Sequence, residues 1–287
     1  MHVTRTQFAS AAVSLGLIIP ATALAATING GPGNERLRGT NAADQINGNG
    51  GNDRIHALAG DDRVTGGSGN DRIFGMRGND TITGVQGNDF LSGGPGDDTI
   101  TGDTNAAGDL TSFDRIFGGA GNDMLKGGDS ADRIAGGSGN DISFGENGND
   151  RMSGGKGDDT QDGGAGNDVI FANRGTDVSS GGDGDDVLWA LARADVAPGP
   201  GVDQVGDTLD GGNGNDVFRT RDGEVDRITC GAGTDIAVLD NVDVIADATA
   251  EAPNGSCEDV RRKPARGQGE SRSEDRQEAP KEEKASA

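Results

Sequence analysis

Fourteen aspartates occupy one fixed place in a nine-residue unit: Asp53, Asp62, Asp71, Asp80, Asp89 and Asp98, then Asp123, Asp132, Asp141, Asp150, Asp159, Asp168, Asp177 and Asp186. The first six units run without a break from Gly48 to Thr101, the other eight from Gly118 to Trp189. Weaker units flank them, with Glu35, Asp44, Asp207, Asp216, Asp226 and Asp235 at the equivalent place. If two units make one coil, residues 18 apart stack directly above one another. The carboxylates then form columns 53–71–89 and 62–80–98 in the first block, and 132–150–168–186 and 123–141–159–177 in the second. At a strand spacing of ~4.8 Å such charges repel unless a cation lies between them. Calcium suits the donors: it takes carboxylate and backbone oxygens together in a flexible shell. Zinc and copper favour His or Cys, and the repeats hold only His56 and no Cys. With His2 the one other histidine, little remains for His-based acid–base or triad chemistry.

Each unit divides into two parts that must position its carboxylate. The first six residues, G-G-x-G-[ND]-D, favour turns and are expected to lie outside regular strand, since Gly admits positive φ and Asn and Asp favour turns. The last three residues make a short strand with one apolar side chain at its centre, pointing opposite to its neighbours. The expected inward set is Ile55, Val64, Ile73, Ile82, Leu91, Ile100, Ile116, Leu125, Ile134, Met152, Ile170 and Leu188. One unit cannot bury its single apolar residue. Stacked two-strand coils can, as a thin core between two parallel sheets. The expected fold is therefore all-β, a solenoid with two short strands per 18-residue coil.

Composition sets the bounds. The 287 residues include 53 Gly and carry 48 Asp+Glu against 25 Lys+Arg, a net charge of -23. Few large aliphatic residues with high net charge exclude an ordinary globular enzyme core. The acidic balance argues against nucleic acid as partner. Residues 1–25 read as a secretory signal peptide, with Arg5, an apolar stretch from Phe8 to Ile19 and the cleavage site Ala23-Leu24-Ala25. The mature chain is expected to be secreted, and no later segment is apolar enough to span a membrane. Residues 26–47 read as degenerate repeats forming an N-terminal cap, and 48–189 as the repeat roll with an insertion at 102–113. Residues 190–260 hold a second insertion (190–206), degenerate repeats and a C-terminal cap; 261–287 read as a charged disordered tail.

The units resemble the repeats-in-toxin (RTX, or hemolysin-type) nonapeptide, G-G-x-G-x-D-x-U-x with U a large apolar residue. GGSGNDRIF (66–74) and GGAGNDVIF (163–171) match every defined place. The resemblance covers most of residues 30–238. It implies a calcium-bound parallel β-roll in which Asp53, Asp62, Asp71, Asp80, Asp89, Asp98, Asp123, Asp141, Asp150, Asp159, Asp168, Asp177 and Asp186 join turn carbonyls as ligands. Pairing stacked carboxylates predicts roughly ten to twelve ions. GGDSADRIA (127–135) lacks the second-half Gly, so Asp132 is left out of this set; Leu58-Ala59 is a milder departure. No separate active domain accompanies the repeats, so no toxin, protease or lipase activity is carried over.

Other features each admit more than one reading. Ser143, Gln161 and Ser179 make one core column polar. Either Ile142 and Val178 take over some of the packing there, or the roll is locally looser, or the column is a polar ladder with a binding role. Phe74, Phe117, Phe144, Phe171 and Trp189 take outward strand places. Phe171 and Trp189 are either covered by the 190–206 insertion or form a contact for glycan or protein. Outward Thr pairs at 81/83 and 99/101 are good strand residues before they are anything else. Cys230 and Cys257 are expected to form a disulfide in an exported chain, the alternatives being two free thiols or an intermolecular bridge. The leading expectation is a non-catalytic calcium-binding protein that folds in extracellular calcium and contacts a cell-surface or matrix protein or glycan. The alternatives are an accessory module or a hydrolase-like enzyme, the latter using Asp103, Asp109, Asp195 or Asp203 in the insertions.

Overall fold

The computed structural model describes residues 24–103, 112–190, 206–250 and 252–263. Among them the chain forms 24 strands, from β1 (Thr27–Asn29) to β24 (Asp259–Arg262), and no helix. Odd-numbered strands make one 12-stranded sheet and even-numbered strands the other, each in chain order. Every pairing is parallel and joins a strand to the strand one coil on. This is a parallel β-solenoid with two strands per 18-residue coil. The leader through residue 23 and the tail from 264 lie outside the described residues, as do 104–111 and 191–205 in the two insertions.

The central apolar residue of each unit faces inward. All twelve expected core residues are buried, none more than 2% exposed. Register stacks them in two rows, for example Ile46–Val64–Ile82–Ile100 and Ile55–Ile73–Leu91–Ile116. Stacking carries through both insertions: Leu91 pairs with Ile116 and Ser179 with Leu209.

Two expectations need correction. Most strands are six residues long, such as Arg63–Ser68, and extend through the first three residues of the next unit. Identical coils in register keep the ladder bonded through the bend: Gly67 pairs with Asn49, and Gly69 N–H donates to Gln86 O at 2.9 Å. Ile142 and Val178 do not fill the core. They are 39% and 49% exposed, because each precedes an inward residue in its strand. The polar column is buried, and two of its three members are bonded: with its amide oriented to satisfy both ends, Gln161 donates to Phe171 O and Ser179 Oγ and accepts from Gly154 N–H, while the Ser143 hydroxyl has no hydrogen bond. On either side the apolar core is divided into two clusters, one ending at Ile170 and the other beginning at Leu188.

At the C-terminal end, Cys230 and Cys257 are joined in a disulfide and both are buried. Ser256 Oγ accepts from the N–H groups of Cys230 and Gly231 at 3.1 Å. Arg261 and Arg262, read from composition as tail, pair with Val238 and Leu239 in the last strand. The bond therefore ties the final coil to the one beneath. Reduction in saturating calcium is expected to cost about 3 kcal/mol. A lowered calcium-saturated melting temperature checks this, with hydrogen-exchange protection lost at residues 228–262 and kept at 54–86.

Candidate metal centre

The repeated carboxylates form two continuous columns, and their chemistry follows from two oxygens with different fates. Each Oδ1 accepts the backbone N–H of the aspartate one coil earlier. Asp53 N–H donates to Asp71 Oδ1 at 2.7 Å and Asp71 N–H to Asp89 Oδ1 at 2.7 Å. The column crosses the first insertion, Asp89 N–H reaching Asp114 Oδ1 at 2.8 Å over 25 residues. It runs on through Asp132, Asp150, Asp168, Asp186, Asp216 and Asp235. The other column links Asp44, Asp62, Asp80, Asp98, Asp123, Asp141, Asp159, Asp177, Asp207 and Asp226. The blocks separated by insertions in sequence are thus one structure in space.

The second oxygen points into the turn. Oδ2 is buried without a hydrogen bond in all thirteen expected ligands and also in Asp114, Asp132, Asp216, Asp226 and Asp235. Asp132 therefore matches its neighbours. In its unit Ser130 adopts φ 82° where other units have Gly, so the turn survives the missing glycine. Toward the ends protein donors take over: Thr40 N–H and Oγ1 cap the Asp44 carboxylate, and Thr220 Oγ1 donates to Asp243 Oδ2.

Burial pushes these carboxyls up from their ordinary range, against the lowering effect of the backbone N–H. Asp71 rises to about 6 and Asp62 to about 7. Asp89 is pushed up to about 9, chiefly by desolvation, with the charges of Asp114, Asp71 and Asp103 adding to it. Asp132 also reaches about 9, through burial and then the charges of Asp114, Asp150 and Asp103. A buried carboxylate lacking a counter-charge is costly, so the columns fit a cation.

The space around Oδ2 fits one as well. The first Gly of each unit has no Cβ, and a Cβ there would enter the gap between carboxylate and carbonyl. On Gly66 it would collide with Asp71 Oδ2 and lie 2.9 Å from the carbonyl oxygen of Gly84, one coil on. Carboxylate and carbonyl oxygens converging on one gap are hard donors of the kind calcium takes. Gly66→Ala is expected to raise the calcium midpoint about tenfold or more, since it fills the cradle. Gly50→Ala, whose Cβ would meet only the Ser68 hydroxyl at 3.0 Å and more distant atoms, is the control and leaves the calcium titration unchanged.

Sequence reading missed a further group. One carboxylate oxygen from each of Asp222, Glu224 and Asp226 lies within 4.8 Å of the others. The signal was the alternation of acids in Asp222-Gly-Glu-Val-Asp226, hidden by the loss of the Gly-rich turn. Of the insertion residues named for catalysis, Asp103 is buried and accepts a hydrogen bond from Ser112 Oγ. Asp109, Asp195 and Asp203 lie outside the described residues. No helix among the described residues is long and apolar enough to cross a membrane.

Comparison with known proteins agrees with this geometry. The RTX calcium-binding nonapeptide repeat, described as four copies, matches residues 29–64, 49–82, 56–91, 74–105, 111–143, 144–178, 162–188 and 206–237. No curated protein matches the chain. The matched segments cover more than half of the sequence and coincide with the two carboxylate columns; such repeats bind calcium in a structural β-roll, and the chain belongs to the RTX calcium-binding nonapeptide repeat family.

Proposed function

We propose that this chain is an exported, non-catalytic protein whose roll is completed by extracellular calcium and then serves as a rigid contact surface for a cell-surface or matrix partner. The observation that carries the reading is the row of buried Oδ2 atoms without hydrogen bonds in both columns. The ligands are the thirteen aspartates named above, joined by Asp114 and Asp132, with first-Gly carbonyls completing the shell. One ion per stacked pair would give about thirteen ions, slightly above the ten to twelve expected from sequence because both columns continue across the first insertion. Extracellular calcium modules work at about 10⁻⁴–10⁻³ M, which suits a chain that stays unfolded until it leaves the cell. The leader at 1–25 supports that route, and a mature N-terminus at Ala26 in culture supernatant is the expected result.

Capture from culture supernatant with the full mature chain, with and without calcium, tests the role. A partner retained only in calcium supports it. Turnover of a substrate by the purified chain would overturn the non-catalytic reading.

A further inference from the structure

The outward face of the even-strand sheet carries a second periodic feature, of opposite charge to the columns. Register places Arg36, Arg54, Arg72, Phe90, Arg115, Arg133 and Arg151 in one row across seven consecutive strands. All six Arg are exposed. They are six of the sixteen Lys and Arg between residues 26 and 260, whereas the equivalent row of the odd-strand sheet has only Arg63 and Arg227. Guanidinium groups repeated at a strand spacing of ~4.8 Å repel one another. Among the described residues, none of Arg36, Arg54, Arg72, Arg115 and Arg133 has a carboxylate within salt-bridge distance.

Aromatic rings run beside the Arg row. His56 stacks on Phe74 at 4.9 Å between centroids, Phe74 meets Phe90 at 5.5 Å, and Phe90 meets Phe117 at 5.3 Å. A groove of about 900 Å³ lies along this face, lined in part by Arg36, Arg54, Arg72, Arg115, Phe74 and Phe90. Its lining also includes Glu35 and the column carboxylates Asp53, Asp71 and Asp89.

We propose that this groove binds a linear anionic polysaccharide, with its carboxylate or sulfate groups on the Arg row and its sugar rings over the aromatic row. The Arg fork suits both anions. Aromatic faces provide apolar contact for the C–H faces of the sugars. A rigid row about 30 Å long, six cations over seven strands, favours an extended chain of repeating charge over a compact ligand. Stacked nucleic acid fits the row less well, since its phosphates follow at about 3.4 Å per strand. The proposal rests on the calcium reading, because calcium neutralises the carboxylate wall that would otherwise repel the ligand.

Dextran sulfate and neutral dextran are the probes, titrated against the full mature chain in saturating calcium. The expected result is binding of dextran sulfate, weakened by salt, and none of dextran. Combined Arg54→Gln, Arg72→Gln and Arg115→Gln are expected to weaken binding about tenfold or more, with the circular dichroism and calcium midpoint unchanged. Arg63→Gln with Arg227→Gln on the other sheet should leave the affinity as it was. A triple variant that binds like the parent, or an opposite-sheet pair that loses as much, overturns the proposal. Oligo-dT bound as tightly as dextran sulfate would overturn it in favour of nucleic acid. If the triple variant fails to fold, Arg72→Gln alone decides by a smaller loss in the same direction. A parent chain that gives no sheet spectrum in calcium refutes the calcium reading instead, which keeps the two failures apart.

Discussion

Chelation with EGTA at neutral pH is expected to abolish the sheet spectrum of this chain in far-ultraviolet circular dichroism, and added calcium to restore it. The physical reason is the cost of the columns. Asp89, Asp132 and Asp207 each stand at about 9 in the folded chain, raised from 3.8 chiefly by burial. At pH 7 each such group costs about 4 kcal/mol relative to the unfolded chain. Three of them together rival the ~5–15 kcal/mol by which a domain is ordinarily stable. A core of one apolar residue per unit has no surplus to offset this, so the free energy of metal binding becomes free energy of folding.

The same shifts fix the sign of the pH response. A carboxyl whose folded value is raised stabilises the fold fully below its unfolded value, and that contribution is lost as pH rises through the folded value. In EGTA, acidification from pH 9 through 6 toward 4 should therefore restore sheet, following the values of about 9 for Asp89 and about 6 for Asp71. In calcium the response reverses, because protons compete with the ion for the same oxygens. The calcium midpoint should rise as pH falls. A sheet spectrum indifferent to the chelator at pH 7.5 would defeat the prediction.

The period of nine makes most of the fold legible. A unit with one apolar residue has only one side chain to bury, so the inward rows from Ile55 to Leu188 follow from spacing alone. The carboxylate columns follow from the same coil length. What the period does not show is how far the stacking tolerates interruption. Asp89 and Asp114 are bonded across 25 residues and Asp177 and Asp207 across 30, because the coils on either side of each insertion stay in register. At Asp132 a missing Gly suggests a missing turn, whereas Ser130 accepts the left-handed conformation at φ 82°. Leu58, Met76 and Val85 do the same at φ 94°, 84° and 102°. Such residues cost on the order of 1–3 kcal/mol each, and persist because the stacked coils leave the backbone no alternative. The Arg row is obscured in the sequence because Phe90 interrupts it and the first insertion shifts its numbering.

Substitution of Asp89 separates the two oxygens of a column carboxylate, and its outcomes differ in sign between the calcium-free and calcium-bound states. Oδ1 accepts from Asp71 N–H, while Oδ2 lacks a hydrogen bond beside the gap that the Gly102 carbonyl also lines. Asp89→Asn keeps an acceptor for Asp71, removes a buried charge and offers an amide N–H₂ toward that carbonyl. In EGTA it should regain sheet at a higher pH on acidification than the parent, because one charge fewer has to be neutralised. In calcium it should bind at least one ion fewer and lose about 3–5 kcal/mol, the cost of breaking a buried charge pair. Asp89→Ala also leaves Asp71 N–H unsatisfied, which adds about 1–3 kcal/mol in both states. Calcium stoichiometry by titration calorimetry, urea midpoints in calcium and the pH at which sheet returns in EGTA distinguish the three chains. Equal stoichiometry in parent and Asp89→Asn would show that Oδ2 holds no ion. If Asp89→Asn regained sheet in EGTA only at a lower pH than the parent, the buried charge would not be what opposes folding in the absence of calcium.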